Sequence, residues 1–264
     1  MENSGLYNKI HKEQKFAIKV NGKNILVLAP HPDDEVIGCG GSIFKHLQYG
    51  DCMAVVYMTY GENGGNASVQ ENLETRKNEA LNVLCRYGIK KYYFLGIPEK
   101  ELSVNSYAIN LLSSVIIDFK PDVIYVPDLN DRHENHFVTN LILAFTLSKL
   151  NYNDILVAGY EVWAPIQPNI LINISDYFDE KINMLRLYKS QIERFDYINY
   201  VDTLGKYRAM LHLHCVKNSL IIAVKEQRFR NKIGLNTKHP WTHVEALRVL
   251  NSKIYCQEVM SHFE

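Results

Sequence analysis

Apolar, β-branched runs alternate with amphipathic patterns through the first two-thirds of the chain. Residues 24–30, Asn-Ile-Leu-Val-Leu-Ala-Pro, are apolar after the first position, the pattern of a strand buried on both faces. Similar runs predict strands over 53–59, 91–95, 122–127 and 155–160. Between them, apolar residues at helical spacing predict helices over 35–48 (Ile37, Ile43, Phe44, Leu47), 71–87 (Leu73, Ala80, Leu81, Leu84), 106–119 and 136–149. Gly88 is placed to cap the second of these at its C-terminus. Strands alternating with helices in this way predict an α/β fold, a mainly parallel sheet with helices on both faces.

The stretch 60–70 is polar and glycine-rich (Gly61, Gly64, Gly65) and predicts a long surface loop of the kind that contacts ligands. The last third changes character. Asp176 is a candidate N-cap for a helix carrying Phe178, Ile182, Leu185 and Tyr188. A tyrosine-rich connection leads to a second helical pattern over 201–216, and 218–224 reads as a strand. No linker or low-complexity tract separates these parts. The expectation is therefore a single domain over residues 1–264, with 1–22 as an N-terminal extension and 161–264 as an appended layer.

Composition narrows the function classes. The 264 residues are 47% hydrophobic and 22% charged, with a formal net charge of zero. That is ordinary for a soluble globular protein and lacks the basic footprint of a nucleic-acid binder. Residues 1–20 lack the apolar core of a signal peptide, and no run is long and apolar enough to cross a bilayer. The five cysteines include no Cys-x-x-Cys pair, which argues for reduced thiols. These features predict a cytoplasmic protein with no nucleic-acid or membrane partner.

The chemistry concentrates in His31-Pro32-Asp33-Asp34-Glu35, directly after the 24–30 strand. Strand ends are where open α/β sheets place their sites. Four ionisable groups in five residues beside a core are costly unless paired, and a metal ion pairs them simply. His31 and Asp34, three residues apart on a strand-to-helix turn, can converge on one point, and both are reasonable zinc ligands. A catalytic zinc usually takes three protein ligands, so one more must come from another strand end. The segment Asp131-Arg132-His133-Glu134-Asn135-His136 follows the 122–127 strand and offers His133 and His136 one helical turn apart. One can bind metal while the other faces substrate.

A strand, Pro-His-Pro-Asp-Asp-Glu and a later His-x-x-His together resemble the PIG-L/LmbE-like metal-dependent de-N-acetylases. The resemblance runs from about residue 24 to the C-terminal region and is strongest in the two motifs. It implies a Rossmann-like three-layer fold with the active site at the C-terminal strand ends. It implies that His31, Asp34 and His136 hold the metal, Zn2+ by default, with Fe2+, Co2+ or Mn2+ accommodated by the same donors. It further implies that Asp33 is the general base, that a protonated His133 acts on the developing oxyanion and the leaving group, and that Arg76 contacts substrate. The second motif reads His-Glu-Asn-His where many bacterial relatives have His-Pro-Asp-His, and Glu99 stands where relatives often carry an aspartate.

Simpler readings compete at several positions. A carboxylate capping a helix would account for Asp33 or Asp34 but for neither His31 nor the partner motif. Glu35 reads as a structural hydrogen-bonding group. Gly38-Cys39-Gly40-Gly41 lacks the dinucleotide-binding fingerprint, since Ile43 occupies its last glycine position, and reads as close helix packing. His212, His214, His239 and His243 read as surface or core histidines, Trp163 and Trp241 as core or pocket wall, and the tyrosines from 197 to 207 as packing. The function expected is removal of acetyl from a small N-acetylated amino-sugar conjugate by metal-activated water. The alternatives are a metallo-amidohydrolase acting on a non-sugar acylated amine, or a non-catalytic ligand-binding protein of the same fold.

Overall fold

The computed structural model describes residues 15–215 and 241–262. Eight strands form one sheet: β1 (Lys15–Ala17), β2 (Asn24–Ala29), β3 (Cys52–Tyr57), β4 (Lys91–Phe94), β5 (Val123–Pro127), β6 (Leu156–Tyr160), β7 (Ile170–Asn173) and β8 (Val244–Asn251). Their spatial order is β1-β7-β8-β6-β5-β2-β3-β4. All neighbours run parallel except β8, which pairs antiparallel with both β6 and β7.

Eight α-helices accompany the sheet among the described residues: α1 (Asp34–Gln48), α2 (Val69–Tyr87), α3 (Ser106–Phe119), α4 (Glu134–Leu150), α5 (Phe178–Leu185), α6 (Lys189–Ile192), α7 (Tyr197–Cys215) and α8 (Ser252–Ser261). β2 shows why the layers form. Ile25, Val27 and Ala29 point into one core with Ile37 and Ile43 of α1, Val83 and Leu84 of α2, and Leu185 of α5. Leu26 and Leu28 point into the opposite core with Leu112 of α3, Ile142 of α4 and Val259 of α8. All five of these β2 side chains are inaccessible to solvent, and burial of each of the four larger ones contributes about 1.5–3 kcal/mol.

The local signals at element ends are mostly honoured. Ser68 and Glu71 form a reciprocal capping box at the start of α2, so that helix begins two residues before the expected 71. Gly88 closes it in the left-handed conformation, at φ 75°. The glycines of α1 pack closely, as expected: a Cβ on Gly38 would lie 2.0 Å from the Tyr160 ring, and one on Gly41 2.5 Å from Ile174. Asp176 does not cap a helix. It sits inside a short 3-10 turn, Ser175–Tyr177, and α5 starts after it without a side-chain cap. The helix also stops at Leu185, leaving Tyr188 to turn into the core. The strand expected over 218–224 and His239 lie outside the described residues, as do the side chains of His212 and His214.

Glu245 of β8 ties the late part of the chain to the site helix. α1 breaks its helical geometry at Cys39 (φ −138°), and the Glu245 carboxylate accepts from the Gly41 and Ser42 amides, both at 2.8 Å, just beyond the break. Lys181 of α5 neutralises the same carboxylate at 2.8 Å. A carboxylate at a restarting helix satisfies amides that otherwise lack partners.

His46, on the far turn of α1, makes the fold sensitive to acid. Its ring is fully buried, with Nδ1 2.9 Å from Asp51 Oδ2 and Nε2 2.9 Å from the Tyr125 hydroxyl. Burial pushes its pKa from 6.5 down to about 4, although Asp51 pulls the other way. The unfolded chain therefore takes up a proton below about pH 6.5 that the folded chain refuses until about pH 4. Stability is full above the first value and declines between the two, by up to about 3 kcal/mol. Urea unfolding at pH 7.5 and pH 4.5 is expected to show a smaller acid penalty for His46→Gln than for the wild type. Equal penalties would discount His46 as a source of the acid sensitivity.

Candidate active site

β2 and β5 are neighbours at the point where successive strands begin to be added in opposite directions. β3 and β4 extend the sheet one way from β2, and β6 extends it the other way from β5. Such a switch point opens a crevice at the C-terminal strand ends. The turn from β2 into α1 carries His31, Asp33, Asp34 and Glu35 to it, the connection from β5 carries Asp131 and His133, and the first turn of α4 carries His136. A cavity of about 350 Å³ lies there, bordered by His31, Asp33, Asp34 and His133.

The residues expected to hold metal meet. Asp34 Oδ2 lies 3.1 Å from His31 Nδ1 and 3.2 Å from His136 Nε2, and also accepts from the His31 amide at 2.9 Å. Burial alone would raise Asp34, but His136 and His31 outweigh it and hold the carboxyl well below the usual carboxylate range. Burial would likewise lower His136, yet Asp34 and Asp131 carry it up to about 10. A protonated His136 thus puts a positive charge between two buried carboxylates. Its ring nitrogens are close to both, yet neither makes a well-directed hydrogen bond. Buried His136 nitrogens without a well-directed hydrogen bond, beside His31 and Asp34 in a set of two imidazoles and a carboxylate, fit a divalent cation of the zinc type. His133 belongs to the same cluster: ligating nitrogens of His31, His133 and His136 all lie within 4.8 Å of one another.

Asp33 occupies a conformation that residues other than glycine rarely adopt, with φ 122° and ψ −31°, the kind of strain that accumulates at functional sites. Two groups hold it there. Glu35 Oε2 accepts from the Asp33 amide at 3.1 Å, while the Glu35 Oε1 accepts from the hydroxyls of Tyr57 and Tyr188. Arg76 Nη2 donates to Asp33 Oδ2 at 3.0 Å. Burial, opposed by Arg76, pushes Asp33 well above the usual range for aspartate. Burial likewise carries Glu35 up to about 7, against the hydrogen bonds from its tyrosines.

Arg76, expected to contact substrate, lines the cavity, and protein groups engage most of its guanidinium. It is buried, and two further donors go to Pro32 O at 2.6 Å and Gly61 O at 2.9 Å, while Nε makes no hydrogen bond among the described residues. Its guanidinium faces Asp33 and backbone carbonyls, which leaves it few donors for a ligand.

His133 differs in protonation. Burial, with His31 and His136 nearby, lowers its pKa, so the ring is neutral at pH 7. Its Nδ1 accepts from the Asn135 amide at 3.2 Å at the start of α4, which leaves the ring proton on Nε2. His133 is therefore a neutral hydrogen-bond donor, unlike the imidazolium expected from the motif.

Several residues that sequence reasoning left without a role join the site. Asp131 Oδ1 accepts from the His133 amide at 3.0 Å and lies 3.1 Å from His136 Nδ1, while Oδ2 accepts from the Trp163 amide at 2.7 Å. Its place two residues before His133 was the available signal. Asn135 Nδ2 lies 3.0 Å from His31 Nε2. Gln191, Arg194, Phe195 and Tyr197 line the cavity from the α6–α7 region, with no motif to mark them. Tyr197 thus belongs to the cavity wall as well as the core. Trp163 forms pocket wall, as read, whereas His243 pairs with Asp202 and stacks on Phe178 away from the site.

Residues 26–145 match the profile of the family described as GlcNAc-PI de-N-acetylase, PIG-L. Diacetylchitobiose deacetylase of Thermococcus kodakarensis is 28% identical over 188 residues, 64% of this chain and 70% of that one. A probable N-acetyl-alpha-D-glucosaminyl L-malate deacetylase 2 of Bacillus cereus is 25% identical over 187 residues, 65% of this chain and 84% of that one. The solved N,N'-diacetylchitobiose deacetylase of Pyrococcus horikoshii superposes with a TM-score of 0.68 at 21% identity, covering 97% of this chain and 95% of that one. That last likeness establishes the shared α/β fold.

Proposed function

We propose, from the match of residues 26–145 to the PIG-L family, that this chain is a metal-dependent hydrolase that removes the acetyl group from an N-acetylated amino-sugar conjugate. The observation that carries the reading is a strained, buried carboxylate, Asp33, beside the convergent donors His31, Asp34 and His136 in one cavity. The sugar-conjugate substrate follows the relatives, which are named as deacetylases of diacetylchitobiose and of a glucosaminyl malate.

In this reading His31, Asp34 and His136 hold the ion, with Zn2+ as the default occupant. Asp34 is preferred to His133 as the third ligand because its Oδ2 lies between the other two donors, whereas His133 Nδ1 is engaged by the Asn135 amide. A bound divalent ion supplies Lewis acidity and brings the pKa of water towards neutrality. Asp33 accepts the proton of the attacking water, and burial keeps its basicity closer to neutral pH than that of an exposed aspartate. Arg76 and Glu35 keep that carboxylate aimed. His133 Nε2–H donates to the carbonyl oxygen as it gains negative charge. Asp33 then returns its proton to the departing amine, and acetate leaves.

Asp131 supports the histidines from behind. A carboxylate on the outer nitrogen of a metal-binding imidazole fixes its tautomer and orientation. Asp131→Asn is expected to bind metal about 10–100-fold more weakly, measured by competition with a chelator. Unchanged affinity would remove Asp131 from the site.

Acetate release by the metal-loaded protein, from N-acetylglucosamine conjugates and from N-acyl amino acids, tests the function. Turnover of the sugar conjugates supports the proposal, and turnover of the amino-acid amides alone would favour the non-sugar amidohydrolase. Failure to retain stoichiometric metal, with no hydrolysis at all, would favour the ligand-binding reading.

A further inference from the structure

Two guanidinium groups meet at Gly64 in the wall of the cavity. A Cβ on Gly64 would lie 2.5 Å from Arg76 Nη1 and 3.5 Å from Arg194 Nη1, so the two nitrogens are no more than about 6 Å apart. Their circumstances differ. Arg76 is buried and neutralised by Asp33. Arg194, in the α6–α7 connection, has no ion pair and no side-chain hydrogen bond among the described residues. The acidic groups bordering the cavity are engaged elsewhere: Asp33 with Arg76, Asp34 with His31 and His136, and Glu99 with the Asn63 amide at 2.9 Å. Arg194 is solvent-exposed at the cavity, where it lies beside a second guanidinium, and glycine at position 64 leaves the room between them open.

The neighbouring surface is apolar. Trp163 and Phe195 border the same cavity with their rings edge to face at 5.6 Å, and both remain more than a third exposed. Cationic donors beside exposed aromatic faces suit a group that combines negative charge with a carbon skeleton.

We propose that Arg194, beside Gly64 and the Trp163–Phe195 pair, forms a subsite for an anionic group, a carboxylate or a phosphate, carried by the conjugate away from its acetamide. The proposal rests on the deacetylase reading and narrows its substrate class to acidic conjugates. Arg194 sets specificity here and takes no part in the proton transfers. Planar, paired donors make arginine better suited than lysine to either oxyanion.

The test compares the metal-loaded wild type with Arg194→Gln and Arg194→Lys on three substrates: methyl N-acetylglucosaminide, N-acetylglucosamine 1-phosphate and the N-acetylglucosaminide of glycolic acid. The wild type is expected to favour one of the two acidic substrates over the neutral one by at least about tenfold in kcat/KM, the scale of one charge-assisted hydrogen bond. The favoured acid identifies phosphate or carboxylate as the natural charge. Arg194→Gln is expected to lose the preference, chiefly through KM, and Arg194→Lys to retain part of it. A wild type without preference, or a preference undiminished in Arg194→Gln, overturns the subsite while leaving the deacetylase reading intact. If none of the three is hydrolysed, the deacetylase reading is what has failed. Calorimetric binding of glucosamine 1-phosphate against glucosamine then decides the subsite separately: tighter binding of the phosphate to the wild type alone supports it, and equal affinities overturn it.

Discussion

Asp33→Asn is expected to purify with the metal content of the wild type and to lose about 10²–10⁴-fold in kcat, the range for removal of a general base. The separation follows from geometry. Asp34 Oδ2 sits between His31 and His136, whereas Asp33 is turned towards Arg76 and the cavity. Asparagine keeps an acceptor oxygen for Arg76 and a side chain of the same size, so folding is largely preserved while the base is deleted. Burial raises Asp33, and its working form is the deprotonated one, so activity in the wild type rises with pH along a limb displaced above the ordinary aspartate range. That limb is expected to disappear from whatever residual rate Asp33→Asn retains. Elemental analysis with a pH–rate profile checks both parts. Near-normal turnover in Asp33→Asn would sink the assignment, and loss of metal along with activity would make Asp33 part of the ligand set.

What could be read from sequence was what is contiguous. The β2 run and the turn after it place a strand end, a histidine and three carboxylates within a dozen residues, so fold class and candidate metal donors were visible together. His133 and His136 were equally legible because they share the first turn of α4. β8 was not, because Val-Glu-Ala-Leu-Arg-Val-Leu-Asn is rich in helix formers and lacks strict alternation. Pairing with β6 and β7 on both sides overrides that preference. β1 and β7 have three and four residues, too few to show a period. At the site, charge state was the illegible part. His133 reads as a protonated imidazole until its burial and its bond from Asn135 are known, and these favour a neutral donor. Arg76 reads as a substrate ligand, and only the folded chain shows that Pro32, Asp33 and Gly61 take three of its donors. Arg194 comes from a segment with no motif, more than 150 residues after Asp33, and only the folded chain sets it beside Arg76.

His136→Ala is expected to abolish stoichiometric metal binding and activity together, the opposite pattern to Asp33→Asn. His136 is wholly buried and lies within 3.2 Å of both Asp34 and Asp131. Its removal deletes a donor and also leaves two buried carboxylates facing each other without the group that separates them. Weakening only the outer support of a metal ligand costs about 10–100-fold in affinity, so loss of the ligand itself costs more. Breaking a buried charged pair in this way destabilises a fold by about 3–5 kcal/mol, and a lower melting temperature is expected alongside. The two effects are separated by adding metal. The wild type is expected to melt higher with the ion and lower with a chelator, whereas His136→Ala is expected to respond to neither. The wild type should also release a proton as metal binds at pH 7.5, because burial and the flanking carboxylates leave the metal-free His136 with a pKa of about 10. Calorimetry in two buffers of different ionisation enthalpy reads that proton directly. A His136→Ala protein that still binds one equivalent of metal and melts higher for it would move the third ligand to His133, whose ring lies 4.8 Å from that of His31.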